Sequence, residues 1–383
     1  MDEGVRFMVD KRDFKDKQIS LLGLGTMRLP CKTPIKREAN PLISYDKGQQ
    51  LVDLAFEGGV NYFDTAYMYH AGRSEKFIGT ALKNYPRDSY FLADKLPIWL
   101  CPKESDMEKV FRKQLSRTGM DYFDFYLLHS LNKEHFEKCE KFGAYDFLLQ
   151  KKAEGKIKYI GFSFHGTIDD LKEIVAAHKW DFAQIQMNYL DWKNQDAETQ
   201  YNILTEAGIP VIVMEPVRGG KLAEVSPDIE KMFKAAKPES SVASWAISFV
   251  ASHPNVITIL SGMNSEEQMI DNLGTLTDFS PMSERELKIC KNAAAMINKS
   301  EVIPCTGCDY CADCPKGVKI STIFSVFNKL KTGELDNESA QAEYDKISVK
   351  ADACIGCGKC SNHCPQAIDI PEKMKKTIPE FFI

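Results

Sequence analysis

Short apolar segments alternate with helix-length segments eight times between residues 19 and 262. The apolar segments are hydrophobic at consecutive positions, as expected of parallel strands that are covered on both faces. Eight strand–helix alternations over roughly 250 residues are typical of a closed (β/α)8 TIM barrel. The eight predicted strands are Ile19–Gly25, Asn61–Ala66, Tyr90–Lys95, Phe123–His129, Tyr159–Phe164, Phe182–Asn188, Pro210–Pro216 and Val256–Gly262.

The segments between the strands have helical character, and three of them follow a Ser or Thr that can cap a helix N-terminus. An open, doubly wound α/β sheet is the competing fold. The chain lacks the GxGxxG turn of that fold, because Gly23-Leu24-Gly25-Thr26 does not lead into a helix. The predicted helices include Met107–Thr118, Ile168–His178, Val242–Ser252 and Glu266–Leu276, the last three capped by Thr167, Ser241 and Ser265.

Eight of the twelve cysteines lie in two runs after the predicted barrel, and each run ends in Cys-Pro. The second run has the spacing that holds a [4Fe–4S] cluster in bacterial ferredoxins, where the fourth cysteine ligates the other cluster. If ligation crosses here in the same way, the first cluster is held by Cys305, Cys308, Cys311 and Cys364, and the second by Cys354, Cys357, Cys360 and Cys314.

One spacing departs from that pattern, since two residues instead of three separate Cys311 from Cys314. Zinc sites usually pair CxxC motifs across a loop, and disulfides require an oxidising compartment, so both explain these runs less well. Cys31, Cys101, Cys139 and Cys290 are scattered, and we predict that they are small buried apolar residues.

These patterns divide the chain into two units. We predict a barrel over residues 1–285 and a small, mostly helical, ferredoxin-like iron–sulfur domain over residues 286–383. The stretch between the two cysteine runs includes Ser321–Leu330, which has helical character.

Charge and hydropathy exclude several partners. The net charge is −5, which gives no cationic surface for nucleic acid or for an anionic membrane. No apolar run approaches the roughly 18 residues of a membrane span, and the charged segment Met1–Lys17 does not resemble a signal peptide. We therefore expect a cytoplasmic, reducing compartment, with neither nucleic acid nor membrane as a partner.

Four polar residues follow consecutive predicted strands, at the end of the barrel where catalytic groups lie. Asp64, Lys95 and His129 end strands two, three and four, and Tyr69 follows Asp64 by five residues. Tyrosine, with an ordinary pKa near ~10, donates a proton poorly at neutral pH. A lysine held by an aspartate would lower that pKa, and a histidine could orient a carbonyl group. Individually, these residues also fit a helix cap, a solvated charge and a buried histidine.

Two stretches around these residues resemble the signature of the aldo/keto reductase family. They are Phe63-Asp64-Thr65-Ala66-x2-Tyr69-x4-Ser74-Glu75-x3-Gly79 and Gly155-Lys156-Ile157-x-Tyr159-Ile160-Gly161-Phe162-Ser163. The resemblance covers nearly all of residues 1–285, and the cysteine-rich part resembles a subgroup that carries ferredoxin-type sites. It implies NAD(P)H-dependent carbonyl reduction, or the reverse alcohol oxidation, with Asp64, Tyr69, Lys95 and His129 as the catalytic residues.

The same resemblance implies a set of nucleotide contacts. Phe164 replaces the asparagine that usually follows Ser163, and Glu215 replaces a serine near the pyrophosphate, where its charge is unfavourable unless it turns away. The lysine and arginine that bind a 2′-phosphate fall at Gly262 and Gln268, which favours NAD(H) over NADP(H). The implied contacts are Ser163, Gln184, Met214, Gly219, Gly220, Gly262, Gln268 and Asn272, with Asn188 and Asp191 behind Gln184.

Three functions remain open, because a hydride carries two electrons and a [4Fe–4S] cluster carries one at a time. The first is an oxidoreductase acting on a small carbonyl or alcohol, whose two clusters exchange electrons with a redox partner protein. In the second, the clusters are structural or serve docking. In the third, the chain is an electron-transfer or binding protein whose barrel has lost catalysis. Tyr67, Trp99, Trp192 and Phe164 are either pocket walls or packing residues.

Overall fold

The computed structural model describes residues 7–32, 42–299, 302–362 and 364–381, and within them it contains ten strands. The last eight strands form a closed parallel barrel in the order β3-β4-β5-β6-β7-β8-β9-β10, with β10 returning to β3. The predicted (β/α)8 barrel is therefore confirmed. The strands are β1 (Lys11–Phe14), β2 (Lys17–Ser20), β3 (Leu22–Gly25), β4 (Tyr62–Asp64), β5 (Phe91–Leu96), β6 (Phe123–Leu131), β7 (Ile157–Phe164), β8 (Phe182–Gln186), β9 (Val211–Met214) and β10 (Val256–Ser261).

The three predicted N-caps are confirmed. Thr167 accepts a hydrogen bond from the Asp170 amide in a reciprocal capping box, and Ser241 and Ser265 each accept one from the amide three residues later. The helices around the barrel are α1 (Tyr45–Glu57), α2 (Arg73–Leu82), α3 (Asp106–Thr118), α4 (Lys133–Lys141), α5 (Ala144–Ala153), α6 (Ile168–Ala177), α7 (Asp191–Asn194), α8 (Ala197–Glu206), α9 (Pro227–Ala236), α10 (Val242–Ala251), α11 (Glu266–Thr275) and α12 (Glu284–Asn298).

The β1–β2 hairpin, which the sequence pattern did not predict, closes the N-terminal end of the barrel. It contributes Phe14 and Ile19 to the apolar cluster inside the barrel, and the Phe14 ring lies 5.2 Å from that of Phe125. Because side chains fill this end, the opposite end, where the parallel strands terminate, is left to hold a site.

The C-terminal unit is mostly helical, as predicted, and has its own core. Tyr344 and Phe381 stack there with ring centroids 4.2 Å apart, next to the buried Phe324 and Met374. Short 3-10 turns occur here and in the barrel, at Thr26–Arg28, Tyr69–Gly72, Arg87–Ser89, Ile98–Leu100, Arg218–Gly220 and Ala351–Ala353. The helices of this unit are α13 (Ile320–Lys331), α14 (Asn337–Asp345), α15 (Lys359–Asn362) and α16 (Ile370–Phe381).

Helix α12 crosses the predicted domain boundary at residue 285. Its buried Cys290 and Ala293 belong to the core of the barrel. The boundary stays a prediction, and this packing leads us to propose that the second unit begins after α12.

The cysteines outside the two runs are free thiols. Cys101, Cys139 and Cys290 are fully buried, as predicted, and Cys31 is half-buried. Among the described residues, no helix is long and apolar enough to cross a membrane.

Candidate active site

A cavity of about 350 Å³ lies at the C-terminal ends of the barrel strands. Asp64, Tyr69 and His129 line it, whereas Lys95 is fully buried behind them. All eight residues that the sequence suggested for nucleotide binding also line it: Ser163, Gln184, Met214, Gly219, Gly220, Gly262, Gln268 and Asn272.

Lys95 and Asp64 form a buried ion pair beside Tyr69. Asp64 ends β4, and Lys95 lies on the neighbouring strand β5, so parallel pairing brings the two side chains together. The Lys95 ammonium donates to Asp64 Oδ1 at 2.5 Å and to the Thr65 carbonyl at 2.8 Å. It lies 5.0 Å from the centre of the Tyr69 ring. The lysine is therefore held by the aspartate, as the sequence led us to expect.

The expected lowering of the Tyr69 pKa was wrong. Burial raises the pKa of Tyr69 well above its ordinary value, and the carboxylates of Asp64, Glu215 and Asp94 add to this, while Arg28 opposes them. The reason is geometric, since the ammonium of the neighbouring lysine donates to the aspartate and to a backbone carbonyl instead of the phenol. Tyr69 is consequently a neutral phenol that keeps its proton and can donate it in a hydrogen bond to a ligand.

His129 is a neutral imidazole at the same site. Burial lowers its pKa well below the ordinary value, with the Lys95 charge and then His165 and His135 contributing. Its Nδ1 atom is buried without a hydrogen-bond partner among the described residues. The ring lies nearly perpendicular to Tyr69, with centroids 6.4 Å apart. A neutral imidazole in this position can share a substrate oxygen with the phenol.

His165 also lines the cavity, and the sequence analysis missed it. Burial, with His135 nearby, lowers its pKa to about 4. It follows β7 directly, and position at a strand end was the one signal that could have identified it.

The inner end of the cavity fits a nicotinamide carboxamide. Ser163 Oγ accepts from the Ser130 amide at 2.7 Å, and Gln184 Nε2 lies 3.4 Å from the Met214 sulfur. Gln184 Oε1 is buried and has no hydrogen-bond partner among the described residues. A carboxamide NH2 group would satisfy this acceptor.

The backbone after β9 turns through left-handed conformations, with φ of 55° at Glu215, 50° at Arg218, 63° at Gly219 and 93° at Gly220. Strain of this kind at non-glycine residues is concentrated at functional sites. Glu215 turns toward Arg28, 3.6 Å from its guanidinium, and no described residue makes a hydrogen bond with its buried Oε2 atom.

The residues behind this turn hold it in place. Asn188 donates to the Glu215 carbonyl at 3.0 Å and to Asp191 at 2.7 Å, and Arg218 pairs with Asp191 at 3.2 Å. Asn188 and Asp191 therefore support the cavity from behind its wall.

Three more of the implied nucleotide contacts, Gly262, Gln268 and Asn272, line the cavity near Arg28. Gln268 Oε1 accepts from the Asn264 amide at 2.9 Å, and Asn272 donates to Ser261 Oγ at 2.9 Å. The side chain of Arg28 packs on Gly262, where a Cβ atom would lie 3.3 Å from Arg28 Cβ. A larger residue at 262 would therefore compete with Arg28 for space.

The cysteines are grouped as crossed ligation requires. Burial raises the pKa of Cys308 to about 12, and its neighbours include the thiols of Cys305 and Cys364. The described residues contain no group of three side chains placed to hold a single metal ion. Instead, four thiols surround one small cavity and so fit a larger cluster: Cys305, Cys308, Cys311 and Cys364.

The second group also mixes the two runs. Burial raises the pKa of Cys360, and the neighbouring thiols that affect it are Cys354 and Cys314. The fourth member, Cys357, is exposed. Cys314 therefore lies with the second run, despite its unusual spacing in the first.

The cysteine-rich unit closes one side of the cavity at the barrel mouth. Arg28 donates to the Thr306 carbonyl at 3.0 Å. Gln186 and Gln366 exchange two hydrogen bonds of 3.0 Å. Tyr310 and Cys308 line the same cavity. These hydrogen bonds join positions 278 and 180 apart in the chain, so no local sequence pattern predicts them.

Comparison with known proteins agrees with this geometry. The model described as "Aldo/keto reductase family" matches residues 21–295, and the one described as "4Fe-4S dicluster domain" matches residues 304–368. An uncharacterized oxidoreductase of Bacillus subtilis, YqkF, is 26% identical, covering 71% of this chain and 92% of its own. An NADH-specific methylglyoxal reductase of Escherichia coli is also 26% identical, with coverages of 68% and 91%.

Solved structures share the barrel. The holo form of an aldo-keto reductase from Bacillus halodurans, AKR11C1, superimposes with a TM-score of 0.59 at 24% identity, covering 74% of this chain and 96% of its own. An aldo-keto reductase from Klebsiella pneumoniae in complex with NADPH gives 0.58 at 22% identity, with coverages of 75% and 94%. At this identity the likeness supports the fold alone.

Proposed function

Because the chain belongs to the aldo/keto reductase family and carries a 4Fe-4S dicluster domain, we propose that it is an NAD(P)(H)-dependent oxidoreductase that interconverts a small carbonyl compound and its alcohol. One observation carries the proposal. The neutral phenol of Tyr69 and the neutral imidazole of His129 line the cavity that contains every suggested nucleotide contact, and the buried Asp64–Lys95 pair lies beside them.

The chain's residues supply the acid–base part of the reaction. NAD(P)H, when bound, supplies the hydride. Tyr69 then gives its proton to the oxygen that was the carbonyl, and its raised pKa does not prevent this, because an alkoxide is much more basic than a tyrosinate. His129 orients the same oxygen, while Lys95, whose ammonium lies 5.0 Å from the centre of the Tyr69 ring, holds the Asp64 carboxylate beside the phenol. Asp64 accepts the hydrogen bond of the Lys95 ammonium and so holds that lysine in position.

NAD(H) is the proposed nucleotide. Neither Gly262 nor Gln268 has a positive charge that could pair with a 2′-phosphate. The side-chain carbonyl of Gln268 accepts a hydrogen bond from the Asn264 amide. Arg28 lies nearby, but it donates to Thr306 and faces Glu215. The NADH specificity in the name of the Escherichia coli relative points the same way. Titration with NADH and NADPH tests this choice directly.

Two [4Fe–4S] clusters complete the proposal, with the crossed ligand sets given above. The second set includes the exposed Cys357, two residues after Ile355, which is 60% exposed. We propose that a redox partner protein approaches at this surface, in a reducing cytoplasmic compartment.

Tyr69→Phe tests the catalytic assignment. Protein purified anaerobically is assayed for NADH oxidation with a panel of small carbonyls that includes methylglyoxal. We expect a loss of roughly 10²- to 10⁴-fold in turnover, the usual contribution of a general acid. The matched control is Tyr145→Phe, which removes a hydroxyl that donates to the Lys179 carbonyl on the outside of the barrel. Failure of the cluster-loaded protein to bind either NADH or NADPH by calorimetry would disprove the proposal.

A further inference from the structure

We propose that Tyr310, which lies between two ligands of the first cluster, contacts the substrate and favours carbonyl compounds that carry a second hydrogen-bonding oxygen. This inference rests on the proposed function. Tyr310 lines the nucleotide cavity and also a neighbouring cavity of about 460 Å³. Tyr69 also lines both cavities, so the catalytic phenol and Tyr310 both lie where the two cavities meet.

The neighbouring cavity is where a substrate can reach Tyr69. The suggested nucleotide contacts line only the first cavity, so a bound nucleotide leaves the second free. Trp99, Asn132 and His135 form part of the second wall, and the Trp99 ring stacks on His135 with centroids 5.0 Å apart. An aromatic face with polar groups beside it suits a small oxygenated molecule.

The loop that carries Tyr310 is fixed to the barrel. The Thr306 carbonyl accepts from Arg28, and a Cβ atom at Gly219 would lie 2.9 Å from that carbonyl oxygen. The other ligand segment is held by the Gln366–Gln186 pair. One contact therefore fixes the loop of Tyr310 and another fixes the second ligand segment, and together they hold this unit against the cavity that Tyr310 lines.

The hydroxyl of Tyr310 is available to a ligand. Its ring is half-buried, and no described residue makes a hydrogen bond with the hydroxyl. A phenol is ordinarily protonated at neutral pH and can donate. With Tyr69 directed at the reacting oxygen, Tyr310 offers a second donor to another oxygen of the same molecule. A purely packing residue would use only the ring.

Tyr310→Phe separates these two possibilities, because it keeps the ring and removes the donor. The probes are methylglyoxal, which has two oxygens, and propanal, which has one. We expect kcat/KM for methylglyoxal to fall about tenfold, the value of one hydrogen bond, and that for propanal to change less than about twofold. Most of the change is expected in KM. Iron and sulfide content and the NADH Kd, measured by fluorescence, should stay at wild-type values.

The control is Tyr344→Phe, a tyrosine in the core of the same domain. Equal losses with both aldehydes, no loss with either, or no turnover of either by the wild-type protein would overturn the inference. The proposed function is tested by different results. It is supported if Tyr69→Phe abolishes turnover of any other carbonyl in the panel, and it is disproved if the protein binds neither NADH nor NADPH.

Discussion

Replacing Lys95 by methionine tests whether the buried ion pair has the energetics that its geometry implies. Lys95 is fully buried, and Asp64 is 2% exposed. The ammonium donates to Asp64 at 2.5 Å, while the other carboxylate oxygen has no partner among the described residues. Methionine has a similar shape but no charge, so Lys95→Met leaves a carboxylate buried without its cation.

The expected loss of folding stability follows from the buried Asp64 carboxylate that Lys95→Met leaves without its cation. Removing one partner of a buried ion pair typically destabilises a protein by about 3–5 kcal/mol. For a domain of this size, each kcal/mol lowers the Tm by roughly 2–4 °C, so the Tm should fall by roughly 6–20 °C. The double variant Asp64→Asn/Lys95→Met should recover part of this loss, because no charge is left without a partner.

The loss should also depend on pH. Burial already raises the pKa of Asp64, and Lys95 opposes that rise, so removing Lys95 raises it further. A carboxyl whose folded pKa exceeds its unfolded value of ~3.9 binds its proton more tightly when folded. The stability of the variant relative to wild type should therefore fall as pH rises from about 4 through the raised pKa. The variant should be closest to wild type in acid.

Near-UV circular dichroism under anaerobic conditions, with the clusters intact, measures these melting temperatures from pH 5 to 8. The matched control is Lys109→Met, which breaks a surface pair with Asp106 of 2.7 Å and should change stability by at most about 1 kcal/mol. A Lys95→Met melting curve within 2 °C of wild type at every pH, or a double variant as unstable as the single one, would refute this reasoning.

Three further outcomes are expected. Gly79→Ala should destabilise the barrel by about 3 kcal/mol in thermal melting, because its Cβ atom would overlap the Thr118 carbonyl on α3. The pKa of His165 is lowered to about 4, so the stability that its neutral form contributes is lost as pH falls from ~6.5 toward 4. His165→Phe should therefore flatten the pH dependence of the Tm in that range. Cys364→Ala and Cys314→Ala should each remove about four of eight iron atoms by chemical analysis. Only the former should weaken NADH binding in fluorescence titration, because Cys308 of the same ligand set lines the nucleotide cavity.

The sequence predicts well what local patterns encode. The caps Thr167, Ser241 and Ser265 each lie three residues before the amide that they bind, so their signal is contained in one short segment. The eight barrel strands were found for a similar reason, since burial on both faces makes each strand apolar throughout. The β1–β2 hairpin was missed, because four-residue strands give too short an alternation to recognise.

The electrostatics of the site and the interdomain contacts could not be read from the sequence. The raised pKa of Tyr69 depends on burial and on the carboxylates that the fold brings near it, those of Asp64, Glu215 and Asp94. The Gln186–Gln366 pair joins residues 180 positions apart. Neither the direction of a side chain nor a contact at that separation follows from local periodicity.

The contacts between the two units bear on what the clusters do. Thr306 follows Cys305 directly, and Gln366 lies two residues after Cys364, so residues beside the proposed ligands of the first cluster make the hydrogen bonds to the barrel. That ligand set, unlike the one with the exposed Cys357, therefore shapes the wall beside Tyr69. A structural role and an electron-transfer role both require this ligand set beside Tyr69. The two roles differ in how reduction of the clusters should affect carbonyl turnover. If the clusters only hold the loop, carbonyl turnover should be the same before and after reduction by dithionite. If they exchange electrons with the site, turnover should change with reduction, and the change should be lost in Cys364→Ala.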